Sequence, residues 1–232
     1  MWETKSSAPD TIQDGGSLTT DGTNIFAFRG NGTATTYKYT VGTDTWSTLS
    51  DAPWTIGAAD TNSKGGLAYS SATGKIYAIS GSAEGFQYDP AANTWTWPSL
   101  ARAPATVGAG GALVALNSDT LYGFRGASTT EFWQYKISTG LWSSKAATPS
   151  TIQNGGSLTS DGVNIYALRG AGTPTFYKYT VATDSWSTLS DAPGNIGAAN
   201  TTATKGAIGY SATAGAIFGI SGNSGAIYKN SP

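Results

Sequence analysis

Tryptophan and proline recur together along the 232-residue chain at a nearly constant interval. Five tryptophans are each followed, seven positions later, by a proline: Trp2/Pro9, Trp46/Pro53, Trp97/Pro104, Trp142/Pro149 and Trp186/Pro193. Successive tryptophans lie 44, 51, 45 and 44 residues apart, and counting from Trp186 through Pro232 on to Trp2 gives 48 residues. A repeat of this length, rich in strand residues and turns, predicts a β-propeller in which each repeat is one blade. Since the period continues across the chain ends, we expect five blades in a closed ring.

Each repeat contains four short strand patterns separated by turn residues. In the first blade these are Gly15–Thr20, Asn24–Phe28, Thr35–Val41 and Thr45–Leu49. Asp21-Gly22 between the first two predicts a type I′ hairpin turn. We expect an all-β, single-domain fold of four-stranded antiparallel blades, with approximate boundaries at 10–50, 54–101, 105–145, 150–190 and 194–232 together with 1–5.

The last blade ends after its third predicted strand, and we expect Met1–Lys5 to supply the fourth strand and close the ring. A longer repeat is also present. Residues 2–61 align with 142–201 without a gap, and roughly two positions in three are identical. The blade order is thus A, B, C, A′, B′, which indicates duplication of a unit of several blades without a second copy of C. The alternative is an arc of blades that another chain completes.

Composition excludes several kinds of chemistry. The chain has no cysteine and no histidine, which rules out disulfides, thiol nucleophiles and Ser-His-Asp triads. We expect no metal site and no cofactor. The net charge of −1 predicts no binding to nucleic acid or to an anionic membrane. No apolar run approaches the roughly 20 residues of a membrane helix, and the N-terminus lacks the pattern of a signal peptide.

The repeats along the whole chain resemble a known family, and the second repeat does so most clearly. Its second strand, Ile76–Gly81, ends near a glycine, Tyr88-Asp89-Pro90 follows, and Asn93-Thr94-Trp95 leads into an outer strand. This pattern resembles the Kelch-repeat propellers, although Kelch rings more often have six or seven blades. The resemblance implies a propeller that serves as a protein-binding scaffold. A few Kelch-like rings are oxidases that hold copper through His and Tyr, an activity that does not carry over to a chain without histidine.

Tryptophans are the first candidate site residues. We expect the indoles of the periodic set to pack between neighbouring blades: Trp2, Trp46, Trp97, Trp142 and Trp186. Three others are candidate ligand-binding residues, because an exposed indole stacks on sugar rings or anchors a protein: Trp54, Trp95 and Trp133. Trp54 corresponds to Gly194 in the duplicated repeat, so the fold does not require an indole there. Which of Trp95 and Trp97 packs between blades stays open, since Trp95 keeps the spacing from Tyr88 and Trp97 the spacing to proline.

Arginines are the second candidate set. Arg29, Arg125 and Arg169 end the second strand in three blades, and equivalent positions on a ring allow them to converge on an anionic ligand. The alternative is pairing with nearby side chains such as Asp14 or Gln153, or with loop carbonyls.

The composition favours a binding role over catalysis. Charged residues are only 12% of the chain, and Ser, Thr, Asn and Gly dominate the remaining polar surface. We expect a non-enzymatic binding or assembly module on an extracellular or virion surface, with protein partners or surface glycans and with assembly into a larger particle. A carbohydrate-binding lectin is the first alternative, and a glycan-cleaving hydrolase with paired carboxylates is the second. An intracellular adaptor is disfavoured by the low charge content.

Overall fold

In the residues that the computed structural model describes, nineteen strands form five antiparallel sheets. The structure describes residues 4–12, 15–30, 32–53, 66–192, 207–220 and 227–231. Four sheets have four strands in sequence order, and the fifth has three described strands. The predicted all-β, five-bladed propeller is therefore confirmed. In the described ranges the helical content is one turn of 3-10 helix, Val181–Thr183.

Each blade consists of strands that are consecutive in the chain. Blade 1 contains β1 (Ser17–Thr20), β2 (Asn24–Phe28), β3 (Thr36–Thr40) and β4 (Thr45–Thr48). Blade 2 contains β5 (Gly66–Ser70), β6 (Lys75–Ile79), β7 (Gly85–Asp89) and β8 (Thr94–Leu100). Blade 3 contains β9 (Ala112–Asn117), β10 (Thr120–Phe124), β11 (Phe132–Lys136) and β12 (Leu141–Ser144). Blade 4 contains β13 (Ser157–Ser160), β14 (Asn164–Leu168), β15 (Phe176–Thr180) and β16 (Ser185–Thr188), and blade 5 contains β17 (Ala207–Ser211), β18 (Ala216–Ile220) and β19 (Ile227–Asn230).

Burial is greatest in the second and third strands of the blades and lowest in the outer fourth strands. The second strands are almost fully buried, as in β10, where all five residues are buried. In the fourth strands β4, β12 and β16 the tryptophan is half-buried, and the other three residues, which are Thr, Ser or Leu, are exposed. Short, polar outer strands are a common protection of sheet edges against pairing with other chains.

The turn between the first two strands of blade 1 differs from the predicted type I′ hairpin. Three residues connect β1 to β2, and among them only Gly22 has a positive φ, of 91°. A type I′ turn needs positive φ at both central residues. Instead, the Asp21 carboxylate accepts hydrogen bonds from the backbone N–H groups of Thr23 and Asn24 at 2.8 and 2.6 Å. Asp21 therefore acts through its side chain as a turn residue, as its type favours.

Hydrophobic clusters fill the interfaces between consecutive blades, which we call seams. The seam between blades 1 and 2 holds Phe26, Leu67 and Phe86, and the next holds Tyr77, Leu113 and Trp133. The following two seams are built in the same way and contain Tyr122, Phe132, Leu158 and Tyr179, then Tyr166, Leu168, Phe176 and Ile217. No buried cluster joins blade 5 to blade 1 within the described residues.

The described part of the N-terminal segment supports closure of the ring by this chain. The indole N–H groups of the outer strands donate to the carbonyl of a residue that follows the outer strand of the preceding blade. Trp95 donates to Ser50, four residues after Trp46, and Trp186 donates to Ala146, four residues after Trp142. Trp46 donates in the same way to Ser6 at 2.8 Å, and Ser6 lies four residues after Trp2. Relative to blade 1, Ser6 thus lies where the residue after an outer strand lies in the other blades; Met1–Glu3 lie outside the described residues.

Candidate functional site

A cavity of about 790 Å³ lies where the first strands of all five blades converge. Its wall is formed mainly by glycine and aliphatic side chains from the start of each first strand. The larger apolar residues in this wall are Ile12, Leu18, Leu67, Leu113, Leu158, Ile208, Phe218 and Ile227. A cavity of this volume falls within the range of roughly 300–1,000 Å³ that is typical of small-molecule sites.

The cavity wall is apolar and uncharged where the structure describes it. The polar side chains among its described lining residues are the hydroxyls of Ser17 and Ser157, and no Asp, Glu, Lys or Arg is among them. A glycosidase of the usual kind needs two carboxyl groups facing one sugar bond. The described wall supplies neither of them, so what this cavity offers is apolar contact.

The cavity extends from the ring axis into the seam between blades 5 and 1. The register of the first two strands places Leu18, Leu67, Leu113, Leu158 and Ile208 at equivalent positions of the five blades. Leu67, Leu113 and Leu158 are buried against the preceding blade, and Ile208 is half-buried against blade 4. Leu18 is 61% exposed, and it lines the cavity together with Phe218 and Ile227 of blade 5.

The arginines that end second strands are each engaged near their own blade. Arg29 Nε lies 3.3 Å from Asp10 Oδ2, an ion pair without hydrogen-bond geometry. Arg125 forms an ion pair with Glu131 and donates from Nε to the carbonyl of Thr106 at 3.2 Å. Arg169 donates from Nε to the carbonyl of Thr151 at 3.4 Å.

Those contacts match the pairing alternative, with different partners from those expected. Asp14 lies outside the described residues, and the Gln153 side-chain amide donates to the Thr151 hydroxyl. In blade 2 a serine, Ser80, replaces the arginine, and Arg102 from the following loop binds Glu84 and the carbonyl of Ser82. Each guanidinium therefore ties a loop to its own strand end, which is a structural use of its charge.

Two loops near Arg125 approach each other closely at a glycine. Gly126 has a φ of 66°, and a Cβ there would lie 2.4 Å from the backbone nitrogen of Gly111. Backbone hydrogen bonds join the same loops, from Gly108 to Arg125 and from Ala127 to Ala109. Because only glycine allows this approach, the loops that surround the cavity are held at a fixed spacing.

Outer-strand tryptophans stack on the tyrosine directly opposite in the third strand. The ring centroids are 5.1 Å apart for Tyr39–Trp46, 4.9 Å for Tyr135–Trp142 and 5.1 Å for Tyr179–Trp186. With their indole hydrogen bonds to the preceding blade, Trp46, Trp142 and Trp186 link neighbouring blades, as the sequence predicted. Trp2 lies outside the described residues.

In blade 2 the residue that links blades is Trp95, and the expectation for Trp97 is corrected. Trp95 pairs with Tyr88, with ring centroids 4.9 Å apart, and donates to the carbonyl of Ser50 at 3.0 Å. Trp97 is 48% exposed. The strand β8 has seven residues and a register irregularity opposite Gly85–Gln87, so the spacing to proline is shifted by two positions relative to the other blades.

Two other tryptophans were candidate ligand-binding residues. Trp133 is only 2% exposed and packs in the seam between blades 2 and 3, with its ring centroid 6.2 Å from that of Trp142. It therefore presents no indole face to a ligand, and its expected role in binding is corrected. Trp54 lies outside the described residues and keeps its place as a sequence-based candidate.

Turn aspartates hold the outer parts of the blades together. Asp184 has a left-handed backbone, and its carboxylate accepts hydrogen bonds from the Tyr179 hydroxyl and the Ala146 N–H at 2.6 and 2.9 Å. These bonds lower the pKa of Asp184 below its usual 3.8. Asp44 repeats the arrangement with the Ser6 N–H and the Tyr39 hydroxyl, which lower its pKa as well. Hydrogen-bonded carboxylates of this kind are structural and stay ionised at neutral pH.

Sequence reasoning missed one feature, the seam between blades 5 and 1, which no buried cluster of described residues fills and which we call the open seam. The sequence does contain a signal for it. In blades 1 and 4 the hydroxyls of Thr19 and Thr159 accept a hydrogen bond from the first strand of the next blade, at Tyr69 N and Tyr210 N. The register places Gly209 at this position of blade 5. A hypothetical Cβ on Gly209 meets nothing within 4 Å, so at this position blade 5 has neither the threonine hydroxyl that joins blade 1 to blade 2 and blade 4 to blade 5 nor any side-chain bulk.

Comparison with known proteins supports the fold and leaves the family open. No protein-family model matches the chain, and no curated protein matches it. Among solved structures, that of YjhT aligns with a TM-score of 0.67 at 14% identity, over 91% of this chain and 73% of YjhT. A structural genomics protein of unknown function from Bacteroides thetaiotaomicron VPI-5482 aligns with a TM-score of 0.65 at 13% identity. That alignment covers 92% of this chain but only 57% of the other, and identities this low show a shared fold alone.

Among the described residues, no helix is long and apolar enough to cross a membrane. In the same ranges, no group of three or more Asp or Glu residues is placed to hold a metal ion.

Proposed function

We propose that this chain is a non-enzymatic, Kelch-like binding and assembly module on an extracellular or virion surface, with protein partners or surface glycans. The observation that carries the proposal is the character of the cavity, whose described wall is apolar and without carboxylates. The candidate arginines support it, because their charges are engaged with Asp10, Glu131 and loop carbonyls. The described wall of the cavity offers surfaces for contact and contains no carboxylate pair.

The exposed residues of the outer strands support the proposed extracellular or virion location. The exposed residues of β4 and β16 are Thr45, Ser47 and Thr48 in one blade and Ser185, Ser187 and Thr188 in the other. Hydroxyls give a neutral surface that remains hydrated without a large net charge. The aromatic and glycine-tight contacts between blades supply rigidity without disulfides.

Surface labelling tests the location. Intact cells or particles of the source organism are treated with a membrane-impermeant biotin reagent, and biotin on Lys5, Lys136 or Lys229 is measured by mass spectrometry. Labelling equal to that of a known surface protein supports the proposal. Labelling only after lysis contradicts it. A panel of chromogenic glycosides tests the non-enzymatic part, and turnover above the buffer blank would contradict it.

A lectin is the second candidate, favoured by one structural observation. Trp97 is 48% exposed on the long outer strand of blade 2, and exposed tryptophans commonly contact sugar rings. Glycan-array binding by the wild type, reduced in Trp97→Ala or Trp54→Ala and kept in Leu141→Ala, supports the lectin. Leu141 is a suitable control because it is a 66% exposed residue on the outer strand of blade 3. No binding by the wild type removes this candidate and leaves the protein-binding module.

A further inference from the structure

Blades 5 and 1 face each other with apolar side chains that, among the described residues, form no shared buried cluster. On blade 1, Leu18 is 61% and Ile12 38% exposed, and both line the cavity. On blade 5, Phe218 and Ile227 are half-buried and line the same cavity. Exposed leucine and isoleucine side chains of this kind are unfavourable in water unless something apolar covers them.

The direction of these side chains follows from the repeat. Phe26, Tyr77, Tyr122 and Tyr166 occupy the middle of the second strand in blades 1 to 4, and each is buried against the next blade. Phe218 is the equivalent residue of blade 5, so its ring is directed at blade 1. Leu18, the counterpart of the buried Leu158, is directed at blade 5.

Gly209 leaves part of the space between the two faces without a side chain. It lies on β17 opposite Phe218, and a hypothetical Cβ there meets nothing within 4 Å. The larger Thr159 fills the equivalent position of blade 4 and is buried. The missing side chain contributes to a space that is continuous with the cavity of about 790 Å³.

We propose that the space bounded by Ile12, Leu18, Phe218 and Ile227 is a binding site for one uncharged, apolar small molecule. The site is part of the cavity of about 790 Å³, whose volume and apolar wall are typical of small-molecule sites and whose described lining residues include no ionisable side chain. The hydroxyls of Ser17 and Ser157 offer one or two hydrogen bonds to an otherwise apolar ligand. The proposal rests on the non-enzymatic binding role proposed above and names a ligand class for it.

Nile red, an uncharged fluorophore whose emission rises in apolar surroundings, is the probe. We expect the wild type to bind it saturably at one site per chain. Leu18→Asp places a carboxylate against an apolar ligand, and we expect it to weaken binding by about tenfold or more. Gly209→Leu fills the space and is expected to weaken binding to a similar extent.

Two matched controls are available. Leu141→Asp changes another exposed leucine, which does not line the cavity, and Gly42→Leu changes another glycine without positive φ and with nothing within 4 Å of its hypothetical Cβ. Both are expected to bind the probe as the wild type does. Circular dichroism and thermal unfolding establish that all four variants are folded.

Several results would overturn the proposal. One is the absence of saturable binding by the wild type, and another is equal binding by Leu18→Asp and Leu141→Asp. A wild-type dimer that Leu18→Asp converts to monomer would make this face an interface between copies of the chain instead. Surface labelling and glycan binding do not depend on Leu18, so failure of the probe experiment is distinct from failure of the proposed function.

Discussion

Blades 1 and 4 have nearly the same sequence, yet their first strands are covered to very different extents. The segments Ser17–Thr20 and Ser157–Ser160 differ at one position. Leu158 is 8% exposed against blade 3, whereas Leu18 is 61% exposed toward blade 5. The difference therefore comes from the neighbouring blade and not from the strand itself. Packing in a propeller is a property of pairs of blades, because no blade can bury both of its faces alone.

The largest expected effect concerns a tryptophan in a filled seam. Trp186 packs on Phe132 and Tyr179 at centroid distances of 4.9 and 5.1 Å, and it donates to Ala146 of the preceding blade. We expect Trp186→Ala to lower the free energy of unfolding by about 3–5 kcal/mol, measured by urea denaturation. Trp97→Ala is the matched control, with an expected loss of about 0.5 kcal/mol or less, since that indole is half exposed. Equal losses in the two variants would contradict the assignment of Trp186 to the seam.

The second prediction compares the duplicated leucines directly. Leu158→Ala removes buried methyl groups from a filled seam, with an expected loss of about 2–5 kcal/mol. Leu18→Ala removes the same groups from the open seam, with an expected loss of about 0.5 kcal/mol or less. Both values come from urea denaturation of the purified variants. A loss for Leu18→Ala as large as that for Leu158→Ala would mean that the seam between blades 5 and 1 is filled in solution.

The third prediction concerns Gly209, the residue of blade 5 that faces the open seam. Thr159 accepts a hydrogen bond from Tyr210 N at 2.9 Å, and Gly209 is the residue in its place in blade 5. We expect Gly209→Thr to raise the free energy of unfolding by about 0.5–1 kcal/mol, because threonine favours a strand and restricts the unfolded chain more than glycine does. Thr159→Val is expected to lower it by a similar amount. A destabilised Gly209→Thr variant would show that its side chain meets an obstacle.

The smallest expected effect is a dependence on acid. The folded-state pKa of Asp184 is depressed, by the hydrogen bond from Tyr179 and then by that from Ala146 N. Since the unfolded value is about 3.8, its stabilising contribution is complete above that pH and is lost as pH falls through the lower folded value. Urea denaturation at pH 7, 5, 4 and 3 should show falling stability below pH 4. Asp184→Asn should flatten that decline, and an unchanged decline would place the acid sensitivity in other carboxylates.

Much of the fold could be predicted from the sequence because its signals are local and repeated. The strand Asn24–Phe28 was predicted with the observed bounds, and Gly15–Thr20 was two residues too long at its glycine end. Glycines at the start of first strands belong to the tight loops near the cavity, so that pairing begins only after them. Turn residues were identified by type, while the conformation of Asp21-Gly22 depends on the Asp21 side chain.

The site was harder to predict, because exposure depends on the neighbouring blade. Spacing alone left Trp95 and Trp97 as alternatives, and the irregular register of β8 decides between them. Phe132 and Trp133 are adjacent in the third strand and point to opposite faces of the blade. Phe132 is buried in the seam with blade 4, and Trp133 is buried in the seam with blade 2. The sequence shows that blade 5 has Gly209 where blade 4 has Thr159. The space that this glycine leaves can be recognised only in the folded ring, where blade 5 faces blade 1.

The mass and shape of the purified chain in solution test the central claim most directly, that one chain closes its own five-bladed ring. Light scattering combined with small-angle X-ray scattering measures both. We expect a monomer of 23.7 kDa with a radius of gyration of about 17 Å, as for a compact domain of 232 residues. A stable oligomer of elongated subunits would contradict the claim, since blades 5 and 1 would then be completed by another chain.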